Sequence, residues 1–247
     1  MSYQLEVCID NIESLTLAQL GGATRIELCA ALALGGLTPS HGLMHIAAQT
    51  ATVPVYAMIR PRQGDFLFSD QDIEIMLSDI HAAKQAGLQG VVIGALTADG
   101  KIDRDTLRSL VNAARGMGIT FHRAIDQCID PMAALEVIMT AGCERVLTSG
   151  QHASAEAGIE VLADMVQFCG NRLSVMAGAG IHAGNVREIV RNTGVKEVHL
   201  SGKSTRPSEM GHYAGKAHMG SNAVDDFAIP VTATDKIAAV AQILKTC

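Results

Sequence analysis

The chain alternates short apolar runs with longer amphipathic segments along almost its whole length. Each apolar run is five or six residues long and fits a buried β-strand, whereas the amphipathic segments repeat their apolar positions at helical spacing. The predicted strands are Leu5–Ile9, Thr24–Cys29, Val55–Arg60, Gly90–Ala95, Ile119–Arg123, Arg145–Ser149, Leu173–Gly178 and Glu197–Ser201. The predicted helices that follow them in turn are Ile12–Leu20, Ser40–Gln49, Asp70–Ala86, Asp103–Arg115, Pro131–Ala141, Ala155–Cys169, Ala183–Asn192 and Asp235–Lys245. This order predicts repeated strand–helix units and a parallel sheet.

Eight consecutive strand–helix units predict an α/β fold that closes into a (β/α)8 barrel of the TIM type. A single domain over residues 1–247 fits this interpretation, because such barrels have about 250 residues. The one irregular stretch, Gly202–Thr234, is interpreted as an excursion over the barrel mouth with an extra strand at Phe227–Val231. A doubly wound sheet is the alternative fold, but no GxGxxG fingerprint follows the first strand, and no organic cofactor is evident.

Charge and composition narrow the classes of partner. The formal net charge is −6 and no Lys/Arg cluster forms a basic face, so no nucleic-acid partner is expected. No run of about 20 apolar residues could span a membrane, and no basic residue precedes the first apolar run as in an export signal. The six cysteines form no CxxC pair, and we expect reduced thiols in the cytoplasm.

Ionisable side chains recur at the predicted strand ends, where barrels of this type carry their binding and catalytic residues. As an acid–base pair we select Glu27, at the end of the second strand, and His122, at the end of the fifth. Asp65 and Asp126 follow the third and fifth strands and are candidates to orient a member of that pair. An inward charge needs a partner or a ligand, which makes these positions functional candidates.

A second group of strand-end residues could hold an anion. Arg60, Arg62 and Arg123 carry guanidinium groups, which match the oxygens of carboxylates and phosphates in pairs. The other candidates lie after the sixth, seventh and eighth strands and are Ser149, Gly178, Gly180 and Ser201. Many barrels bind phosphate there through backbone N–H groups. The alternative is a structural network of salt bridges at the mouth, and both interpretations can hold at once.

The tripeptide Glu-x-Cys occurs twice, as Glu6–Cys8 and, 21 residues later, as Glu27–Cys29. Alternate residues of a strand share a face, so the Glu and Cys of each repeat point the same way. Adjacent strands lie about 4.8 Å apart, and the two thiols could therefore approach closely. Two thiolates suit a soft ion such as Cu(I). The alternative is that both are buried cysteines without a ligand.

Several segments together resemble the CutC copper homeostasis family. They are Leu5–Cys8, Arg25–Cys29, Gly35–Ser40, Met58–Arg62, Gly64–Phe66, Thr120–Ala124, Arg145–Gly150 and Met176–Gly180. The resemblance runs to about Ser201 and implies a cytoplasmic TIM barrel that forms a homodimer or a higher homo-oligomer. It also implies an association with copper, in which Cys8 and Cys29 match the family's proposed Cu(I) ligands. Gln63, Ile125 and Gly202 depart from the family's pattern.

Two functional hypotheses follow. In the first, the protein takes part in copper homeostasis and binds Cu(I) through Cys8 and Cys29. In the second, it is an enzyme that acts by acid–base chemistry on a small anionic or phosphorylated metabolite. A third and weaker alternative is a scaffold whose oligomer surface matters more than its mouth. The enzyme hypothesis requires Glu27, Arg60 and His122 to share one cavity.

Overall fold

The computed structural model describes residues 3–212, 217, 219 and 225–247. Eight parallel strands form a closed barrel in chain order. They are β1 (Gln4–Ile9), β2 (Arg25–Leu28), β3 (Val55–Met58), β4 (Gly90–Ile93), β5 (Gly118–Phe121), β6 (Arg145–Thr148), β7 (Ser174–Ala177) and β8 (Glu197–Leu200). The helices are α1 (Ile12–Leu20), α2 (His41–Thr50), α3 (Asp70–Ala86), α4 (Arg104–Ala113), α5 (Pro131–Ala141), α6 (Ile159–Cys169), α7 (Val186–Thr193) and α8 (Thr234–Leu244). The predicted barrel is confirmed, and in the described part of the chain no helix has the length and apolarity needed to cross a bilayer.

Alternation along the strands separates an apolar layer from a polar interior. In β1, Leu5, Val7 and Ile9 are buried in the main hydrophobic core. Glu6 and Cys8 are also buried but occupy the opposite face, because successive side chains of a strand point to opposite sides. The main core therefore lies between the sheet and its helices, while the inside of the barrel is left for polar groups.

Local chemistry sets both ends of helix α5. Pro131 occupies a first-turn position, where its missing N–H leaves no hydrogen bond unmade. The side chain of Asp130 caps the helix by accepting from the backbone N–H groups of Met132 and Ala133, both at 3.0 Å. Gly142 then ends it in the left-handed region, at φ 94°. These two caps set where α5 begins and ends, and β6 begins three residues after Gly142.

Helix α6 begins later than its sequence pattern predicts, at Ile159 instead of Ala155. The intervening residues form a turn in which the Gly158 N–H donates to the Ser154 carbonyl at 3.1 Å. Gly158 packs against the end of β6 so closely that a Cβ there would lie 2.0 Å from the Ser149 carbonyl oxygen. The turn that accommodates this contact delays the helix.

The excursion after β8 contains a two-stranded hairpin outside the barrel. Strand β9 (Lys203–Pro207) pairs antiparallel with β10 (Ala228–Thr232), so the extra strand lies one residue later than predicted. Arg206 of β9 donates to both carboxylate oxygens of Glu13 on α1, with contacts of 2.9 Å. This ion pair holds the hairpin against α1 at the rim of the barrel. Residues 213–216, 218 and 220–224 of the predicted excursion lie outside the described residues.

Candidate functional site

A cavity of about 690 Å³ opens at the carboxyl ends of the barrel strands. The predicted site residues that line it are Cys8, Glu27, Arg60, His122, Arg123, Gly180 and Ser201. Other residues of its wall include Phe66, His199, Lys203, Asp235 and Lys236. Glu27, Arg60 and His122 therefore share one cavity, as the enzyme hypothesis requires.

Three potential metal ligands lie side by side in the cavity wall. The strand register sets Cys8 of β1 opposite Glu27 of β2, and Glu6 opposite His199 of β8. The ligand atoms of Cys8, Glu27 and His199 all lie within 4.8 Å of one another. His199 was not among the predicted site residues, although its position two residues before Ser201 places both on one face of the strand end.

Both ring nitrogens of His199 face carboxylates. Nδ1 lies 2.8 Å from Glu6 Oε1, and Nε2 lies 3.8 Å from Glu27 Oε2. Burial alone would lower the pKa of His199, but the Cys8 sulfur and the Glu27 carboxylate outweigh it and raise this pKa well above 6.5. These two acidic neighbours therefore favour the protonated form of His199.

Glu27 has one carboxylate oxygen in contact and one without a partner. Oε2 accepts from the Cys29 thiol at 3.4 Å and faces His199. Burial is the main reason that the pKa of Glu27 is raised, and the nearby His199 charge only partly offsets it. Glu27 is consequently a stronger base than an exposed glutamate.

Cys29 directly follows the end of β2, does not line the cavity and is not a member of the three-ligand group. Its sulfur approaches Gly36 so closely that a Cβ there would lie 3.0 Å away. Burial, followed by the Glu27 charge, raises the pKa of the Cys29 thiol well above its usual value. The Cys8–Cys29 ion site remains a prediction, in which Cys29 would need to lose a firmly held proton.

The surroundings of His122 favour a neutral imidazole with its proton on Nε2. It lies at the start of the short 3-10 helix Arg123–Gln127, where its Nδ1 accepts from the Ala124 backbone N–H at 3.2 Å. Burial, helped by the Arg60 charge, lowers the pKa of His122 to about 3. Because Nδ1 is an acceptor in a neutral ring, Nε2 carries the proton and is a hydrogen-bond donor.

Arg60 is held by the loops around it. Its guanidinium donates to the carbonyls of Leu34 at 3.0 Å, Gly36 at 3.2 Å and Gly64 at 2.7 Å. The guanidinium carbon also lies 5.1 Å from the centre of the Phe66 ring, whose other neighbour, the His122 ring, is 4.9 Å away. Arg60 therefore fixes the loops after β2 and β3 while remaining in the cavity wall.

One atom of each predicted central residue lacks a hydrogen-bond partner. In the described part of the chain, the buried side-chain atoms without one are Glu27 Oε1, Arg60 Nε and His122 Nε2. A buried polar atom left unpaired costs about 1–3 kcal/mol, so such atoms are rare and call for an explanation. All three belong to residues that line one cavity, which makes this cavity the candidate binding site.

The predicted residues Asp126 and Ser149 support the cavity without lining it. Asp126 accepts from the Ser149 N–H at 3.1 Å and from the Thr148 hydroxyl at 2.5 Å, and it pairs with Arg123 at 2.7 Å. Ser149 Oγ accepts from Arg123 at 2.9 Å. The two residues therefore hold the guanidinium of Arg123 at the cavity wall.

Arg62 and Asp65 lie outside the cavity lining. Their side chains pair with each other at 3.0 Å and are 38% and 70% exposed. Arg62 also donates to Asp72 at the start of α3, at 3.2 Å. Arg62 thus does not share the inward direction of Arg60, because its side chain is bonded to Asp65 and to the Leu67 carbonyl of the loop after β3.

The loop after β7 contributes backbone to the wall. Gly180 lines the cavity beside Ala179, and both have positive φ, at 76° and 75°. Such a conformation is uncommon for alanine and recurs at functional sites. Gly178 does not line the cavity, because it lies against Leu147, whose Cδ1 would be 2.5 Å from a Cβ at that position.

A second polar group, the lower layer, fills the barrel towards the amino-terminal ends of the strands. It consists of Glu6, Arg25, Arg145 and Glu197. Arg25 donates to both Glu6 and Glu197, and Arg145 donates to Glu197 at 3.0 Å. Burial would raise the pKa of Glu6, but the charges of Arg25 and His199 outweigh it and lower this pKa to about 2.

Tyr56 completes the lower layer. Its ring lies 5.4 Å from the Arg25 guanidinium carbon and 5.2 Å from that of Arg145. Neither Gly90 nor Gly118 could carry a Cβ, because it would lie 2.4 Å or 1.9 Å from an atom of Tyr56. The two glycines thus make room for the ring inside the barrel.

Sequence comparison places the chain among known proteins. The profile of the CutC family matches residues 3–204. The chain belongs to the CutC family. It is 67% identical over 240 residues to a family protein CutC of Photobacterium profundum, covering 97% of this chain and 98% of that protein. A family protein CutC of Vibrio vulnificus is 61% identical over 239 residues, covering 96% of each chain.

A solved structure supports the same assignment. It is that of a CutC from Streptococcus agalactiae, provisionally described as a copper homeostasis protein. The identity is 32% and the TM-score 0.77, over 81% of this chain and 98% of that one. The family is thus linked by name with copper homeostasis, and its barrel fold is the one found here.

Proposed function

We propose that the cavity binds a small organic anion, phosphorylated or carboxylated, and that Glu27 and His122 carry out acid–base chemistry on it. The observation that carries this proposal is the set of three unpaired buried atoms, Glu27 Oε1, Arg60 Nε and His122 Nε2. A ligand with both acceptor and donor groups would satisfy all three. A bare metal cation would not satisfy them, because the guanidinium Nε–H and the protonated nitrogen of the imidazole are hydrogen-bond donors and cannot bind a cation.

The charge of the wall favours an anion. Its arginine and lysine residues are Arg60, Arg123, Lys203 and Lys236, against the acidic residues Glu27 and Asp235, and His199 adds to the positive side. This local excess of positive charge occurs in a chain whose formal net charge is −6. A cavity of one sign with low-dielectric walls raises the local concentration of oppositely charged ligands. Gly180 and Ser201 at the rim could add backbone and hydroxyl donors.

A thermal-shift screen with phosphorylated and carboxylated metabolites tests the proposal. At a ligand concentration of 100 times Kd, binding to the folded state should add about 2.7 kcal/mol of stability. Replacing the cavity arginine in Arg123→Gln should reduce the shift. The matched control is Arg172→Gln, since Arg172 is an exposed arginine between α6 and β7 that pairs with Glu136 on α5. A library without any anionic stabiliser, or equal loss in both variants, would refute the proposal.

A second candidate function is Cu(I) binding in copper homeostasis, through Cys8 and Cys29 as the family resemblance implies. The specific observation in its favour is the approach of Cys8, Glu27 and His199 within 4.8 Å. A thiolate and an imidazole are ligands that suit Cu(I). Glu6 holds Nδ1 of His199, an arrangement in which a carboxylate orients a metal-binding histidine through its other nitrogen. The donors fit, provided that His199 loses its extra proton on binding.

Anaerobic competition with a chromogenic Cu(I) chelator tests this second candidate. We expect Cys8→Ser to weaken Cu(I) binding at least tenfold and the double replacement with Cys29→Ser to abolish it. Cys247→Ser is the control, because Cys247 is an exposed thiol three residues beyond the end of α8. Unchanged affinity in the double variant would exclude the site.

Two further properties follow from the family resemblance and are proposed on that ground. They are a cytoplasmic location and assembly into a homodimer or a higher homo-oligomer. Light scattering on the purified chain tests the assembly. A monomer at micromolar concentration would contradict it.

A further inference from the structure

We propose that the ligand of the cavity is a carbonyl compound and that the protein moves a proton to and from the carbon next to its carbonyl group. This inference rests on the proposed function and names its substrate class. The three unpaired atoms supply two donors and one acceptor. That is the set required to hold an enolate oxygen and to remove a proton from the neighbouring carbon.

The first donor is His122 Nε2–H. Its protonation follows from geometry, because Nδ1 already accepts from the Ala124 N–H at 3.2 Å. The ring also has little freedom, since a Cβ at Gly94 would lie 2.5 Å from its Cε1 atom. A neutral imidazole that donates to a carbonyl oxygen polarises it without giving up its proton, and lowering the pKa of the histidine favours this role.

The second donor is Arg60 Nε–H. The other nitrogens of this guanidinium are committed to backbone carbonyls of the loops after β2 and β3. Those bonds hold the group in place before any ligand arrives. The Arg60 guanidinium carbon and the centre of the His122 ring both lie close to the centre of the Phe66 ring, at 5.1 Å and 4.9 Å. Donors fixed in advance around a position where negative charge develops stabilise a transition state most effectively.

The base is Glu27 Oε1. The other oxygen of this carboxylate faces the Cys29 thiol and His199, which leaves Oε1 as the unpaired one. It lies in the wall of the same cavity as the two donors. A buried glutamate base combined with a neutral histidine donor is a known arrangement for proton transfer next to a carbonyl group.

The reaction is balanced without another reactant. Glu27 Oε1 takes the proton of the α-carbon, the C–H electron pair becomes the carbon–carbon double bond of the enolate, and the carbonyl π pair moves to oxygen. Hydrogen bonds from His122 and Arg60 hold that oxygen. The proton then returns from Glu27 to the same carbon, which regenerates the substrate after the proton has exchanged with solvent. Where that carbon carries a hydroxyl group, transfer of the hydroxyl proton to the enolate oxygen lets Glu27 return its proton to the former carbonyl carbon, which gives isomerisation.

Binding and proton exchange are measured separately with the same probes. These are pyruvate, 2-oxoglutarate, dihydroxyacetone phosphate and ribulose 5-phosphate, each incubated with the full chain in D2O. Proton NMR follows loss of the α C–H signal, and thermal shift follows binding. We expect at least one probe to bind and to exchange. Glu27→Gln should keep binding and lower exchange at least a hundredfold, and His122→Asn should lower exchange by a similar factor.

Glu136→Gln is the matched control, because Glu136 is an exposed glutamate on α5. Probes that bind without exchange in the wild type, or that all fail to bind while other anions stabilise the protein, would overturn this inference and leave the proposed function standing. Exchange that survives Glu27→Gln would also overturn it. If neither these probes nor the wider anion library stabilises the protein, both proposals fail.

Discussion

The lower layer and the cavity wall above it are built from the same kinds of side chain, yet they differ in how those side chains are paired. Glu6 and Arg25 of the lower layer bond to each other and to further charged groups, and Glu197 joins them to Arg145. In the cavity wall, Glu27 lies on β2 and Arg60 lies two residues after the end of β3. Each of them has one buried side-chain atom without a hydrogen-bond partner. Burial is similar in both regions.

The difference separates structural from functional charge. A buried ion network in which each group is paired holds one arrangement and needs nothing further. Unpaired buried donors and acceptors reduce stability, and a protein retains them where a ligand will use them. Counting charges at the strand ends therefore does not identify a site, whereas finding which of them lack partners does.

The largest expected effect comes from a matched pair of variants, Glu6→Gln and Glu27→Gln. Glu6→Gln should reduce the free energy of unfolding at pH 7 by about 3–5 kcal/mol, because it leaves the buried Arg25 with one ion-pair partner fewer. Glu27→Gln should change it by less than about 1 kcal/mol, since burial already disfavours the charge of Glu27. Urea unfolding measures both. Equal losses would erase the distinction between the two regions.

An intermediate effect is expected from pH. The pKa of His122 is lowered from 6.5 to about 3 in the folded protein, so the unfolded chain binds the extra proton between these values. The stability that this residue contributes is present above pH 6.5 and is lost as the pH falls towards 3. Between pH 7 and pH 5, the wild type should lose about 2 kcal/mol more than His122→Asn.

Asparagine is chosen because it can still accept from the Ala124 N–H. Urea unfolding of both proteins at the two pH values gives the comparison. Parallel losses in wild type and variant would mean that His122 is protonated in the folded state, and the neutral-donor role would be lost with it.

The smallest effect is expected from Arg62→Gln. This arginine lies outside the cavity and its ion pairs with Asp65 and Asp72 are exposed to solvent. Exposed pairs contribute little to stability. The urea midpoint and the thermal shift given by any anionic ligand should both stay at wild-type values. A lost ligand shift would extend the site beyond the described lining.

The barrel could be predicted from the sequence because strand and helix periodicities are local and repeat without interruption. The convergence of Glu27, Arg60 and His122 was also predictable, since strand ends of a barrel meet at one rim. Arg62 was not placed correctly by the pattern, because its position depends on hydrogen bonds of an irregular loop. His199 was missed as a ligand candidate because closing the barrel brings β8 beside β1, a contact between residues far apart in the chain.

The Tyr56 ring determines how a ligand can enter and leave the barrel. With this ring between Gly90 and Gly118 and the charged lower layer around it, the barrel is plugged below the cavity. A molecule that enters the cavity between the strand ends must therefore leave through the same opening. A compound bound at the rim beside Gly180 and Lys203 would therefore slow the release of a ligand already in the cavity as well as block the entry of another.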